Sequence, residues 1–340
     1  MYEEHYGLSD RPFQLTPDAR FWFESRTHKK AMAYLGYGLA QGEGFVTITG
    51  EIGAGKSTLV AHLLATIDKE RLNTVSIAST QVDCDDMLRL VAQGLGIAVA
   101  GTEKARLLDL VEHRLGEEVR RGRRTLLIVD EAQNLPVAAL EELRMLSNFT
   151  QTGRSLIQIL LLGQPEFRDR IAGEEGLEQL RQRVIAAHHL EPIEADEVEA
   201  YLVHRLAQVG WQGRPSFEPT ALAALHRHSG GVPRRLNQLA NRLLLFGAVE
   251  MVDKLDDAAV DSVAADLASE TPGREEPLRS ALHPARHARQ EHVRDLGLER
   301  RVAALESRID EQEAIVRRVL TLLVEWVENG RQAPGYTNAA

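Results

Sequence analysis

Residues Gly50, Glu51, Ile52, Gly53, Ala54, Gly55, Lys56, Ser57 and Thr58 contain a glycine-rich loop of the form G-x-x-x-x-G-K-[ST]. This spacing serves the cradling of phosphates. Its glycines let backbone N–H groups turn inward, Lys56 reaches the β and γ phosphates, and the Ser57 hydroxyl ligates Mg²⁺. The stretch before it, Phe45 to Thr49, is apolar and β-branched, as a buried strand is. The stretch after it, Leu59 to Ile67, has helical spacing. The loop therefore falls between a strand and a helix N-terminus, whose dipole adds positive potential. Binding of a nucleoside triphosphate is expected.

A second group of chemical residues follows. Thr125 to Val129 runs into Asp130 and Glu131, and an acidic residue ending a buried strand is costly unless it has charged work to do. Asp130 is expected to hold Mg²⁺ through its water shell and Glu131 to orient and polarise the attacking water, which implies hydrolysis rather than binding alone. Leu156 to Leu162 runs into Gly163, Gln164, Pro165 and Glu166. Gln164 is placed to face the γ phosphate from the neighbouring strand, although the segment also suits a plain turn. Arg183, just before the last strand, suits reaching the γ phosphate of a neighbouring subunit; Arg181 is the second candidate, and each also reads as a surface arginine. Gly230, Gly231, Val232 and Pro233 open a helix, and Arg234 could swing over the nucleotide from above. The histidines assemble no site: His188 and His189 lie in a strand, and the others are scattered.

The elements that must position these residues alternate. Strands are expected at Phe45–Thr49, Thr74–Ala78, Thr125–Val129, Leu156–Leu162 and Ala187–Leu190, with helices at Met87–Leu95, Leu107–Arg120 and Ala138–Phe149 between them. Such alternation implies an α/β fold, a parallel sheet covered on both faces. Its central strands lack polar alternation, Gln158 excepted. From Ala195 to Leu267 the pattern changes to helices alone, separated by Gly210, Gly213, Pro215, Gly230, Gly231 and Pro233. The expected organisation is a nucleotide-binding region over 1–192, a small all-α lid over 193–268, a linker over 269–292, a coiled-coil helix over 293–328 and a tail over 329–340. In the helix, Val302, Ile309, Val316 and Leu323 take the a positions of a heptad, and Leu298, Leu305, Gln312, Val319 and Trp326 take d. β-Branched residues at a favour a parallel dimer; the same stripe also suits a helix packed on its own domain.

The 340 residues are 44% hydrophobic and 26% charged, ordinary for a globular protein. No apolar run approaches the roughly 20 residues that cross a bilayer, and the acidic start is no signal peptide. The lone Cys84 excludes an intrachain disulfide and reads as a small buried side chain. A cytoplasmic location, where ATP and Mg²⁺ are available, is expected. The net charge of −10 weighs against a constitutive nucleic-acid binder without deciding the matter.

Together these motifs resemble an AAA+ ATPase. Gly50–Ser57 matches Walker A, Leu126–Glu131 matches Walker B, and Gln164, Arg183 and Arg234 match sensor 1, arginine finger and sensor 2. Tyr6 to Leu8, Arg11 to Phe13, Thr16 to Asp18, His28 to Leu39, Asp130 to Asn134 and Gly163 to Glu166 are similar to the ExeA-type general secretion ATPases. Within these the resemblance is to the secretion ATPase of PEP-CTERM/exosortase exopolysaccharide loci. It covers residues 1–268 and implies a five-stranded sheet of order 5-1-4-3-2 with a helical lid, Phe13 to Phe23 beside the adenine, and ATP with Mg²⁺ as ligands. A homo-oligomer is expected through AAA+ interfaces, the heptad coiled coil, or both, in a cytoplasmic protein peripheral to the inner membrane with an inner-membrane or secretion-locus protein as partner. The leading expectation is an ATP-driven assembly or switch protein of secretion. The alternatives are a DNA-associated ATPase of the transposition-helper kind and a scaffold whose slow turnover times partner exchange.

Overall fold

Five parallel strands carry the site in the computed structural model, which describes residues 2–78 and 84–270. They are β1 (Phe45–Gly50), β2 (Leu72–Ala78), β3 (Arg124–Asp130), β4 (Ile157–Gly163) and β5 (Val184–Leu190). Their order is β2-β3-β4-β1-β5, which from the other edge reads 5-1-4-3-2. Every residue of β1 and β4 is buried, whereas the edge strands β2 and β5 are only partly so. Strands packed on both faces need continuous apolar runs, which is why the central ones show no alternation. Gln158, the polar exception, donates from Nε2 to the carbonyls of Gly38 (2.6 Å) and Glu43 (3.1 Å), so its burial leaves no amide proton stranded.

The pleat sends alternate side chains to opposite faces. Leu127, Val129, Ile159 and Leu161 pack with α3 (Cys84–Gly94), α4 (Lys104–Arg120), α5 (Val137–Leu146) and α6 (Pro165–Gly173). Leu126, Ile128, Leu160 and Leu162 pack with α1 (Arg26–Gln41) and α2 (Lys56–Thr66). Each fully buried leucine contributes about 1.5–3 kcal/mol relative to exposure. Beyond the start of β3, away from Asp130, the fully buried Glu118 is met by Arg114 (3.1 Å), Arg121 (3.3 Å) and Arg123, an ion cluster that anchors the end of α4.

The helical region comprises α7 (Val198–Ala207), α8 (Pro219–Ser229), α9 (Pro233–Val249) and α10 (Asp257–Glu270). It is not purely helical: Ser216–Phe217 pairs in parallel with Lys254–Leu255. A second addition is the antiparallel hairpin of Thr150–Gln151 with Arg154–Ser155, inserted between β3 and β4. Two-residue ladders leave no readable period, so the sequence carries no sign of either. Residues 2–23, counted on sequence with the nucleotide-binding region, contribute Tyr2, Tyr6, Leu8, Phe13 and Phe21 to the core of the helical region. Tyr2 donates its hydroxyl proton to Asn241 Oδ1 (2.6 Å), and Arg205 Nε donates to the Pro12 carbonyl (2.7 Å). Of the linker expected over 269–292, the first two residues belong to α10, which runs to Glu270; its remainder, the heptad helix and the tail, together with the side chain of Cys84, lie outside the described residues.

Candidate functional site

The carboxyl ends of β1, β3 and β4 meet at one edge of the sheet, the place where parallel α/β sheets open a crevice. The loop after β1 takes backbone conformations that suit glycine, with φ of 87° at Gly53 and 101° at Gly55, and delivers Lys56 as the first residue of α2. Ile52, Gly53, Gly55, Lys56, Ser57 and Thr58 line the crevice. Ala54 turns into the core, and Gly50 and Glu51 present carbonyls to Lys56 Nζ at 2.6 and 3.1 Å. Lys56 is only 7% exposed, and this burial presses its pKa below the usual lysine range, while Glu131, Asp130, Glu51 and Glu166 pull the other way.

Ser57 Oγ lies 3.5 Å from Asp130 Oδ2, across the loop from the end of β3. Asp130 Oδ1 accepts the Glu131 N–H at 2.9 Å. Glu131 itself has φ of 53°, a left-handed conformation that costs a non-glycine residue roughly 1–2 kcal/mol. From this turn its carboxylate reaches the ends of β3 and β4. There Gln133 Nε2 donates to Glu131 Oε2 at 2.5 Å and Gln164 Nε2 to the same oxygen at 3.3 Å. The Gln164 N–H in turn donates to Gln133 Oε1 at 3.0 Å. Sequence reasoning missed Gln133, which lies inside the quoted Asp130–Asn134 motif without a role. One amide side chain splints the ends of β3 and β4. Its backbone carbonyl accepts from Arg170 Nη1 at 2.9 Å, tying α6 to the same turn.

The helical region closes the crevice from the other side. The Arg234 N–H donates to the Gly53 carbonyl at 3.1 Å, and its side chain lines the crevice beside Pro233 and Asn237. A Cβ on Gly53 would collide with that of Arg234. Gln14 to Asp18 and Phe21 to Phe23 form a strap across the remaining opening, where the family resemblance expects the adenine. The buried Arg205 holds this strap, donating to the Pro12 carbonyl (2.7 Å) and from Nη2 to the Gln14 carbonyl (3.4 Å), with its guanidinium over the Phe21 ring (4.6 Å). Arg183 is not brought to this group: its Nη1 donates to the Ser147 carbonyl (3.3 Å) and hydroxyl (3.1 Å). Arg181 Nη1 donates to the carbonyls of Ala172 and Ile171.

Fit to Mg²⁺ is decided by the donor set. Ser57 and Asp130 present one hydroxyl and one carboxylate oxygen toward each other, and no group of three or more His, Cys, Asp or Glu capable of holding a metal occurs among the described residues. That is the donor set of a cation completed by water and phosphate oxygens, as Mg²⁺ is, and not of a metal caged by protein.

Fold and loop together define the class: the architecture is that of the AAA+ P-loop NTPases. A family profile described as an AAA domain matches residues 39–171. The chain is also 37% identical over 246 residues to General secretion pathway protein A of Aeromonas hydrophila, an alignment covering 72% of this chain and 44% of that protein, so it spans less than half of that relative's length. Among solved structures, the ORC2 protein of Aeropyrum pernix, in ADPNP–ADP complexes, superposes with a TM-score of 0.55 at 17% identity over 76% of this chain and 72% of that one. Cdc6p of Pyrobaculum aerophilum superposes with a TM-score of 0.57 at 16% identity, covering 76% and 71%. At these identities the likeness is one of fold.

A Gln133→Ala variant tests the splint. Losing a donor on the Glu131 carboxylate and an acceptor for the Gln164 N–H is expected to lower kcat for ATP about tenfold while KM stays within about twofold. An unchanged or raised kcat, measured by phosphate release, would show that Gln133 does not orient Glu131.

Proposed function

We propose that this chain binds ATP with Mg²⁺ in the crevice and hydrolyses it, as the assembly or energy-transducing component of a secretion system, of the kind found in PEP-CTERM/exosortase exopolysaccharide loci. The observation that carries the catalytic part is the convergence of Lys56, Ser57, Asp130, Glu131 and Gln164 at one edge of the sheet, with the Arg234 helix seated on the phosphate loop. Similarity to a general secretion pathway protein over 246 residues supports the secretion context. No helix among the described residues is long and apolar enough to cross a membrane.

In this reading Lys56 turns from its loop carbonyls to the β and γ phosphates, and Ser57 and Asp130 would hold Mg²⁺, which would neutralise charge on the phosphates. Glu131, fixed by the amides of Gln133 and Gln164, accepts the proton of the attacking water as the water oxygen bonds to the γ phosphorus. The bond to the bridging oxygen breaks and ADP leaves. Gln164 orients a γ-phosphate oxygen, and Arg234 reports its presence to the helical region. Arg183, which touches none of these groups in its own chain, completes the site of a neighbouring subunit, so turnover requires the homo-oligomer.

Steady-state ATP turnover by the purified chain, with and without duplex DNA at fixed moderate salt, tests the proposal. Mg²⁺-dependent turnover indifferent to DNA, rising more steeply than protein concentration, is expected. Strong stimulation by DNA would transfer the chain to the transposition-helper reading, and no turnover at any concentration would leave a nucleotide-binding scaffold.

A further inference from the structure

We propose that His28 is a positioning residue of the nucleotide site: it props the Ala54–Gly55 turn of the phosphate loop and, through Trp22, joins that loop to the strap over the base. The inference rests on the nucleotide-binding reading above and assigns work to a buried side chain that this reading leaves idle.

His28 lies in the first turn of α1 and is 5% exposed. Its ring is aimed at the loop. A Cβ on Gly55 would stand 2.6 Å from His28 Nε2, and the backbone of Ala54 is its hydrogen-bond partner. On the other side Nδ1 is 2.6 Å from Ser25 Oγ, which also accepts the His28 N–H at 3.4 Å as the N-cap of α1. The Ala54 backbone accepts from the ring and so draws the imidazole proton to Nε2, toward the loop, which leaves Nδ1 to accept from the Ser25 hydroxyl. Burial pushes the His28 pKa down to about 4, which keeps the ring neutral with that single proton. One ring nitrogen is thus committed to the phosphate loop and the other to the cap of α1.

The link to the strap is aromatic. Trp22 meets His28 edge-on at 5.1 Å and 84°. Its face stacks on His62 at 4.4 Å and 6°. His62 belongs to α2, the helix that begins at Lys56. Trp22 is thus held by α1 through His28 and by α2 through His62, and it follows directly on the Ala19–Phe21 turn and lines the crevice beside Phe21. A shift of the loop on binding phosphate is transmitted to the indole, and loss of the prop loosens loop and strap together.

The test compares His28→Phe, which keeps the ring against Trp22 and lacks the N–H, with His28→Gln, whose amide restores a donor. ADP affinity is read by calorimetry and turnover by phosphate release. His28→Phe is expected to weaken MgADP binding about five- to tenfold and raise KM for ATP similarly, with kcat within about twofold, and His28→Gln to recover most of the loss. Wild-type affinity in a folded His28→Phe, or a fall in kcat at unchanged KM, overturns the proposal. A second measurement does not depend on that variant folding: ADP is expected to change the tryptophan emission of the wild type, and Trp22→Phe to abolish the change. Calorimetric ADP binding with no emission change, or a change that survives Trp22→Phe, overturns the proposal while sparing the nucleotide reading. Absence of calorimetric ADP binding by the wild type overturns both.

Discussion

Glu131→Gln is expected to bind ATP with the affinity of the wild-type protein and to turn it over about 10²- to 10³-fold more slowly. The substitution is isosteric, so it preserves the left-handed backbone at this position and the turn that places the side chain. A glutamine carbonyl oxygen in the place of Oε2 still accepts from the amides of Gln133 and Gln164, which keeps the strand ends splinted. What disappears is a base for the attacking water, and positioned general bases contribute about 10²- to 10⁴-fold. The result is read by nucleotide binding in parallel with phosphate release at saturating ATP. Turnover at the wild-type rate would remove Glu131 from the chemistry and leave Gln164 and Asp130 as the groups to examine.

Lys56→Ala acts one step earlier, on binding. The buried ammonium stands among Glu131, Asp130, Glu51 and Glu166, so it is the cation that makes this edge of the sheet tolerable to a polyphosphate. Its removal deletes two charge-assisted hydrogen bonds to phosphate, each worth about 1.5–3 kcal/mol, and leaves nearby carboxylates to repel the ligand. Nucleotide affinity is expected to fall by at least about 10²-fold, measured by calorimetry with ADP and a non-hydrolysable ATP analogue. A loss below about fivefold would mean that the loop backbone alone carries the phosphates.

The parts legible in the sequence are those encoded locally. The phosphate loop declares itself because glycine, lysine and serine at fixed offsets have little other reason to recur between a strand and a helix. Asp130 and Glu131 stand out because charge at the end of a buried strand is costly. Gln133 does not stand out: its importance comes from reaching Gln164 just past the end of β4, a contact across 31 positions. His28 beside Gly55 and Arg205 beside Pro12 are hidden for the same reason, since no period relates them. The N-terminal strap shows the limit well. Phe13 and Phe21 read only as apolar residues in an irregular segment, and nothing local directs them to a core made by helices near residue 200. Even where the strand pattern was plain, the beginning of β5 at Val184 and the paired Ser216–Phe217 segment depended on neighbours far along the chain.

The bond from the Arg234 N–H to the Gly53 carbonyl joins two main chains. A side-chain contact at that joint would be open to loss by any single point mutation, whereas this one survives every substitution at Arg234 except proline. The guanidinium can therefore be exchanged while the joint between the helical region and the loop persists. If Arg234 senses the nucleotide as proposed, mechanical coupling and chemical sensing are carried by different atoms of one residue, and selection can retune the second without dismantling the first.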